Sequence, residues 1–427
     1  MDIVKPYFQR GPMAAFVLGI ASGFPLTLLI ATMTYWLAKE GIDTKTIGFA
    51  VGLTTPYTLK FLWAPLMDRL EVPLLTTLFG QRRSWLFVIQ AALVLAIWNL
   101  GFSDPKHHLA YFALWAVITA FLSATQDIVI DAYRIELLSD DDLAHGTAMN
   151  QFGYRTGNLF AGAGTVWLAS AEGAGLGYAI GYAITGLLVV PSIIIALIVG
   201  PGQRAPLKPD PIAPGWFGET VIAPFLEFFR RPGAWLILAF VLTYKLGDAM
   251  GQLMLNPMIV QMGYSDKSYI AVSKLVGFWA LIFGSAMGPI VIARFGTVRS
   301  LFFSGGIMML ANVGFAGVSL THHSNAALGA AVGLENFFAG VSLTVFATYL
   351  SGLSNLAFTA TQYALLSSAA SVGRTFLSAP SGYIVKAIGW TNFYFTCVLV
   401  AVPGLICLYF LSRFNFMHDK ARQVTDS

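Results

Sequence analysis

Charge is scarce in this sequence. Asp, Glu, Lys and Arg make up 11% of its 427 residues, against about 25% in soluble domains, which excludes an ordinary soluble globular chain. Cysteine is nearly absent. Cys397 and Cys407 lie in one apolar run, too far apart along a helix for a bridge, so no disulfide framework or metal site is readable. None of the six histidines falls inside an apolar run, so a protonation switch there must use carboxylates. A membrane-embedded transferase would need a His, Cys or Asp cluster facing water, and none is visible, so no enzyme and no cofactor is expected. The net charge of +4 is spread over helix ends and leaves no footprint for nucleic acid.

What the chain has in excess is apolar residues, 56% of the total, with a mean hydropathy of +0.70. Forty-two glycines and nineteen prolines suit membrane helices, where both are commoner than in soluble ones. The opening MDIVKPYFQRGPM runs into a full-length apolar stretch without an evident cleavage point, and is read as retained. A span needs about 20 apolar residues. Twelve are read, at 13–37, 46–66, 84–102, 109–134, 146–170 and 177–199, then at 233–261, 268–292, 299–319, 326–350, 357–384 and 390–412. This divides the chain into a six-helix half (1–199), a linker (200–232), a second six-helix half (233–412) and a tail (413–427). The linker passes from PGQRAPLKPDPIAPG into WFGETVIAPFLEFFRR, whose mixed aromatics and charges suggest a helix lying along the membrane surface.

Lysine and arginine set the orientation. With the N-terminus cytoplasmic, fifteen fall at cytoplasmic ends, while Lys39, Lys45, Lys106, Lys267 and Lys386 lie opposite. The positive-inside rule then places both termini in the cytoplasm. GIDTKTIG (41–48) resembles GYSDKSYI (263–270), and GYRTGNLFAGAG (153–164) resembles VGRTFLSAPSG (372–382). The common offset predicts two parallel halves, a transporter architecture.

Charges left inside spans mark function or pairing. Arg155 lies roughly 15 Å along its span by helical rise, with Asn158 on the same face, and Arg374 is its repeat mate. Two such arginines suit a carboxylate-bearing cargo. Lys245, Asp248, Gln252 and Asn256 form one polar stripe, and Gly23 with Pro25 occupies the matching place in span 1. In span 4, Asp127, Asp131 and Arg134 share a face. Its lower end, Asp131 and Arg134, is expected to pair with Asp68 and Arg69 of the loop APLMDRLEVPLLTTLFGQRR as a cytoplasmic gate. Its upper end, Gln126 and Asp127, is expected to reach a cavity. Asp127, Asp248 and Glu335 are the proton-coupling candidates. Gly23, Tyr57, Lys60, Gln126, Tyr154, Arg155, Asn158, Lys245, Gln252 and Arg374 are the substrate-binding candidates. For each, helix packing or a purely structural ion pair is the competing role, and Lys274 is read as structural.

The loop signature after span 2 resembles that of the major facilitator superfamily. SGFPLTLL, PYTLKFLWAPLMDR, ATQDIVIDAYRIELL, GYR, YKLGD, EN in span 10 and ATQYALLSS…GR in span 11, in order from about residue 10 to 390, resemble the AmpG-type muropeptide permeases of that superfamily. The resemblance implies an all-α membrane protein with the major facilitator fold, working as a monomer among inner-membrane lipids. It implies import of N-acetylglucosaminyl-1,6-anhydro-N-acetylmuramyl peptides with protons, for wall recycling and β-lactamase induction. Some members carry further apolar segments that are not seen here, so the substrate range is expected to differ. The alternatives are a facilitator for another anionic cargo, such as acetyl-CoA or a peptide, and, further off, the membrane-embedded transferase.

Overall fold

The computed structural model describes residues 4–42, 49–203, 215–264, 272, 276–321 and 324–413. Every regular element among the described residues is a helix. In hydrocarbon no water satisfies backbone N–H and C=O groups, and a helix satisfies them within one segment. The repeat pair at 41–48 and 263–270 falls mostly outside the described residues, as do Lys45, Lys267 and Lys274.

The chain forms two compact units. The first comprises Met1–Phe225 with Ser354–Leu365. Its helices include α1 (Arg10–Lys39), α2 (Thr55–Leu59), α3 (Ala64–Arg69), α4 (Gln81–Phe102), α5 (Leu109–Leu137), α6 (Leu143–Leu159) and α7 (Gly177–Val199). Helices α1 and α6 pack backbone to backbone through glycine. A Cβ at Gly23 would fall 2.2 Å from the Tyr154 carbonyl oxygen, and one at Gly153 would fall 1.9 Å from that of Phe16. Small residues on both helices permit this approach, which gives dispersion contacts where the hydrophobic effect gives none.

The second unit comprises Leu226–Leu353 with Leu366–Ser427. It contains α8 (Ala234–Thr243), α9 (Leu246–Gln261), α10 (Gly277–Phe295), α11 (Thr297–Leu320) and α12 (Asn325–Leu353). Helix α13 (Thr359–Val372) begins in the segment grouped with the first unit, and α14 (Ser381–Arg413) bends at Gly389, where φ is 78°. The glycine device recurs here: a Cβ at Gly284 on α10 would meet the Phe337 carbonyl oxygen of α12 at 1.8 Å.

Nine helical stretches among the described residues, with α8 and α9 counted as one, are long and apolar enough to cross a membrane. They do not include the stretches read as spans at 46–66, 146–170 and 357–384. The first is cut by 3-10 turns at Phe49–Thr54 and Lys60–Leu62. The other two pass through π-turns at Phe160–Gly164 and Gly373–Leu377. These are also the stretches that carry Lys60, Arg155 and Arg374, and π-turns within α-helices gather at functional positions. Part of the linker is helical, over 215–229.

His145, at the polar start of α6 ahead of its apolar part, is half-buried. It sits edge-on to Tyr7 with ring centroids 4.9 Å apart, and its Nδ1 has no hydrogen-bond partner. Burial holds its pKa below the ordinary histidine value. The unfolded chain therefore takes up that proton first, and the folded state loses stability as pH falls through the usual histidine range. The melting temperature of the purified protein is expected to rise between about pH 5.5 and 7.5, and His145→Gln to flatten that rise.

Candidate functional site

The charged face of α5 lies against the broken stretch between α2 and α3. Lys60 Nζ stands 3.6 Å from Asp127 Oδ2 and 3.5 Å from Asp131 Oδ2, one cation between two carboxylates a helical turn apart. Asp127 Oδ1 accepts from the Ser22 hydroxyl of α1. Asp131 Oδ1 faces Arg134 at 3.7 Å, and Arg134 donates to Thr147 Oγ1 at 3.0 Å. The expected pairing of Asp131 with Arg69 is not what forms: Arg69 binds Glu219 of the linker helix. The reason is reach. Asp131 points toward Lys60, and Arg69, at the last residue of α3, lies by the linker.

Asp68 is buried in a second cluster. Arg82 lies between Asp68 and Glu136, donating to Asp68 Oδ1 at 2.6 Å, to Glu136 Oε1 at 2.7 Å and to the Met67 carbonyl at 2.8 Å. The Asp68 carboxylate also accepts from the backbone N–H groups of Ala360 (3.2 Å) and Thr361 (2.8 Å) and from the Thr361 hydroxyl (2.7 Å). It thus caps the first turn of α13, where a negative charge is favoured by the helix dipole. Neither Arg82 nor Glu136 was among the candidates drawn from the sequence. Glu136 follows Asp127 by nine residues and so stands half a turn out of phase with the charged face. The signal for Arg82 was its place in the GQRR end of the loop signature.

Three binding candidates meet in the first unit as helix-holding contacts. Pro25 has no N–H, which frees the Ala21 carbonyl one turn back. The Gln126 side chain fills that vacancy, its Nε2 donating to Ala21 O at 2.7 Å. Asn158, with its amide nitrogen toward acceptors, donates to the Gly23 carbonyl at 2.8 Å and to Thr27 Oγ1 at 3.0 Å. Gly23 itself is closed in by the Tyr154 backbone. Tyr57 donates to Ser123 Oγ at 2.6 Å. Tyr154 and Arg155 are half-buried on α6.

In the second unit the read stripe is present, with a break inside it. The helix is interrupted at Tyr244 and Lys245, so Lys245 stands at the N-cap of α9 and Asp248 in its first turn. Their side chains pair at 3.1 Å. Gln252 donates to Glu335 Oε1, and Asn336 Nδ2 donates to Oε2 at 2.9 Å. Gln252 and Asn256 are exposed. Arg374, on its π-turn, is exposed and has no side-chain hydrogen bond or ion pair among the described residues. Lys245→Met strands the Asp248 charge, and we expect it to cost on the order of 2 kcal/mol. Adding Asp248→Asn is expected to recover the melting temperature but not transport, a split read by thermal unfolding beside uptake.

The helices are broken at Lys60, Lys245 and Arg374, and ion pairs are buried among them. The chain belongs to the Major Facilitator Superfamily, whose family model matches residues 15–357. It is a multi-pass membrane transporter and not an enzyme. It is similar to the anhydromuropeptide permease of Escherichia coli (strain K12), 39% identical over 394 residues that cover 92% of this chain and 78% of the relative. It is also similar to the putative transporter AmpG 4 of Rickettsia conorii, 33% identical and covering 96% and 99% of the two chains. Among solved structures, the major facilitator FucP aligns with a TM-score of 0.67 at 12% identity, covering 95% of this chain and 99% of that one. The human organic anion transporter MFSD10 aligns at 0.64 and 16% identity, covering 93% and 99%. At these identities the likeness concerns the fold alone.

Proposed function

We propose that this chain imports anhydromuropeptides across the bacterial inner membrane in exchange for the free energy of a proton gradient. The observation that carries the reading is the 39% identity over 92% of the chain to a protein named for that cargo. The residues suit it. The cargo's peptide carboxylates need cations, which Arg155 offers in the first unit and Lys245 and Arg374 offer in the second; Arg374 is exposed and has no acid against it among the described residues. Amide and hydroxyl groups of the sugars suit Gln252 and Tyr154. Asp127, Asp248 and Glu335 are the carboxylates available to carry the proton. Asp68, held by Arg82 at the first turn of α13, is the gate residue, with Arg69, Asp131 and Arg134 supporting it through their own pairs. Twelve spans, cytoplasmic termini and a monomer complete the reading.

Competition separates this cargo from other anions. Uptake of labelled disaccharide-anhydro-tripeptide into proteoliposomes is expected to be inhibited by the unlabelled intact compound far more than by free disaccharide or free tripeptide. Equal inhibition by an unrelated anion such as acetyl-CoA would contradict it.

A further inference from the structure

The position of Lys60 points to a role other than that of a cargo ligand. Its ammonium is buried, with the side chain 7% exposed, and lies 3.6 Å from Asp127 and 3.5 Å from Asp131. Both distances are longer than the 2.7–2.9 Å of a charge-assisted hydrogen bond. The cation is shared between two acids and committed to neither. Each acid turns its Oδ2 to Lys60 and has its Oδ1 engaged elsewhere, Asp127 with the Ser22 hydroxyl and Asp131 with the Arg134 guanidinium. Polar groups nearby include Tyr57, bonded to Ser123, Thr147, bonded to Arg134, and Tyr363, whose ring lies against the Arg134 guanidinium. Lys60 opens a 3-10 turn between two short helices, and this stretch has few of the i→i−4 bonds that stiffen a helix.

We propose that Lys60 is a positioning residue for the proton step: when Asp127 takes a proton, the Lys60 ammonium passes wholly to Asp131, and it returns when that proton leaves. The inference rests on the import reading above and names the cation through which coupling acts. The charges balance. Asp127, Asp131, Lys60 and Arg134 sum to zero before the step. A hydronium ion gives up its proton: its O–H bond breaks as one forms at Asp127 Oδ2, a water molecule leaves, and the sum becomes +1. The proton goes to Asp127 because Asp131 has two cations against it and Asp127 has one. With the Asp127 charge gone, the ammonium has one carboxylate left to pair with and a short way to go. The turn beneath it can then follow.

The test uses the full chain in proteoliposomes, with labelled disaccharide-anhydro-tripeptide as probe. Exchange at equal pH on both sides reads carriage of the cargo, and accumulation under an inward proton gradient reads coupling. Lys60→Arg keeps the charge, but its guanidinium forks onto both carboxylates at once and cannot be handed over. It is expected to leave exchange within about twofold of wild type and to cut accumulation about tenfold or more. Lys60→Met alone leaves Asp127 without a cation, so it is made in the Asp127→Asn background, where the remaining Asp131–Arg134 pair is neutral. There it is expected to change exchange by less than about twofold, since both substitutions act on one step. Accumulation by Lys60→Arg at the wild-type level would overturn the proposal. So would a further tenfold loss of exchange in the double variant, which would make Lys60 a cargo ligand. Absence of exchange in folded wild type would instead refute the import reading.

Discussion

Arg82→Leu is expected to abolish folded protein, read as loss of the monodisperse peak in detergent size-exclusion chromatography. Arg82, Asp68 and Glu136 are 4%, 1% and 2% exposed, so solvent does little to screen them. Arg82 pairs with both acids. Removing it leaves two buried carboxylates near one another, and breaking even one such pair costs about 3–5 kcal/mol, a large part of the stability of a typical domain. Arg82→Lys is expected to be milder, since it keeps the charge but loses the forked bonds to Glu136 Oε1 and Oε2. Asp68→Asn should retain an acceptor for the Thr361 N–H. It should therefore fold, with the first turn of α13 held less firmly and exchanging amide hydrogens faster. A wild-type melting temperature for Arg82→Leu would contradict this account of the cluster.

Gly153→Ala is expected to lower the melting temperature sharply and reduce folded yield, with Gly23→Ala close behind. In each case the new methyl group would meet a backbone oxygen, at 1.9 Å from Phe16 O and 2.2 Å from Tyr154 O. Neither oxygen belongs to a side chain that can swing aside, so α1 and α6 must separate along their length. Overpacking of this kind costs typically 1–3 kcal/mol and occasionally more. Separation would also stretch the Asn158 bond to the Gly23 carbonyl, which adds to the loss. Gly306, with open space at its Cβ position, is the control: Gly306→Ala should leave the melting temperature unchanged. Equal melting temperatures for Gly153→Ala and Gly306→Ala would contradict the close approach.

Nine of the twelve stretches read as spans, and the charged face of α5, were legible because hydropathy and helical period are local properties of a sequence. The i, i+4, i+7 spacing placed Asp127, Asp131 and Arg134 on one face, and the structure keeps them there with Lys60 against the first two. What the spacing did not give is which charge on another segment answers them. Lys60 and Asp127 are joined by tertiary geometry, and so are Arg69 and Glu219. Glu136 lies out of phase with that face, and its partner Arg82 comes from α4. Gln126 looked like a cavity group because it neighbours Asp127; its structural task depends on the carbonyl that Pro25 frees on another helix. The breaks at Lys60, Lys245 and Arg374 had no local signature beyond scattered glycine and proline.

The most direct test of the central claim is uptake of labelled disaccharide-anhydro-tripeptide into proteoliposomes, with and without an inward proton gradient, for wild type and Asp127→Asn. The account predicts accumulation that requires the gradient in wild type and is lost in Asp127→Asn, while exchange at equal pH persists in both. Folded wild-type protein that neither exchanges nor accumulates the compound would contradict it.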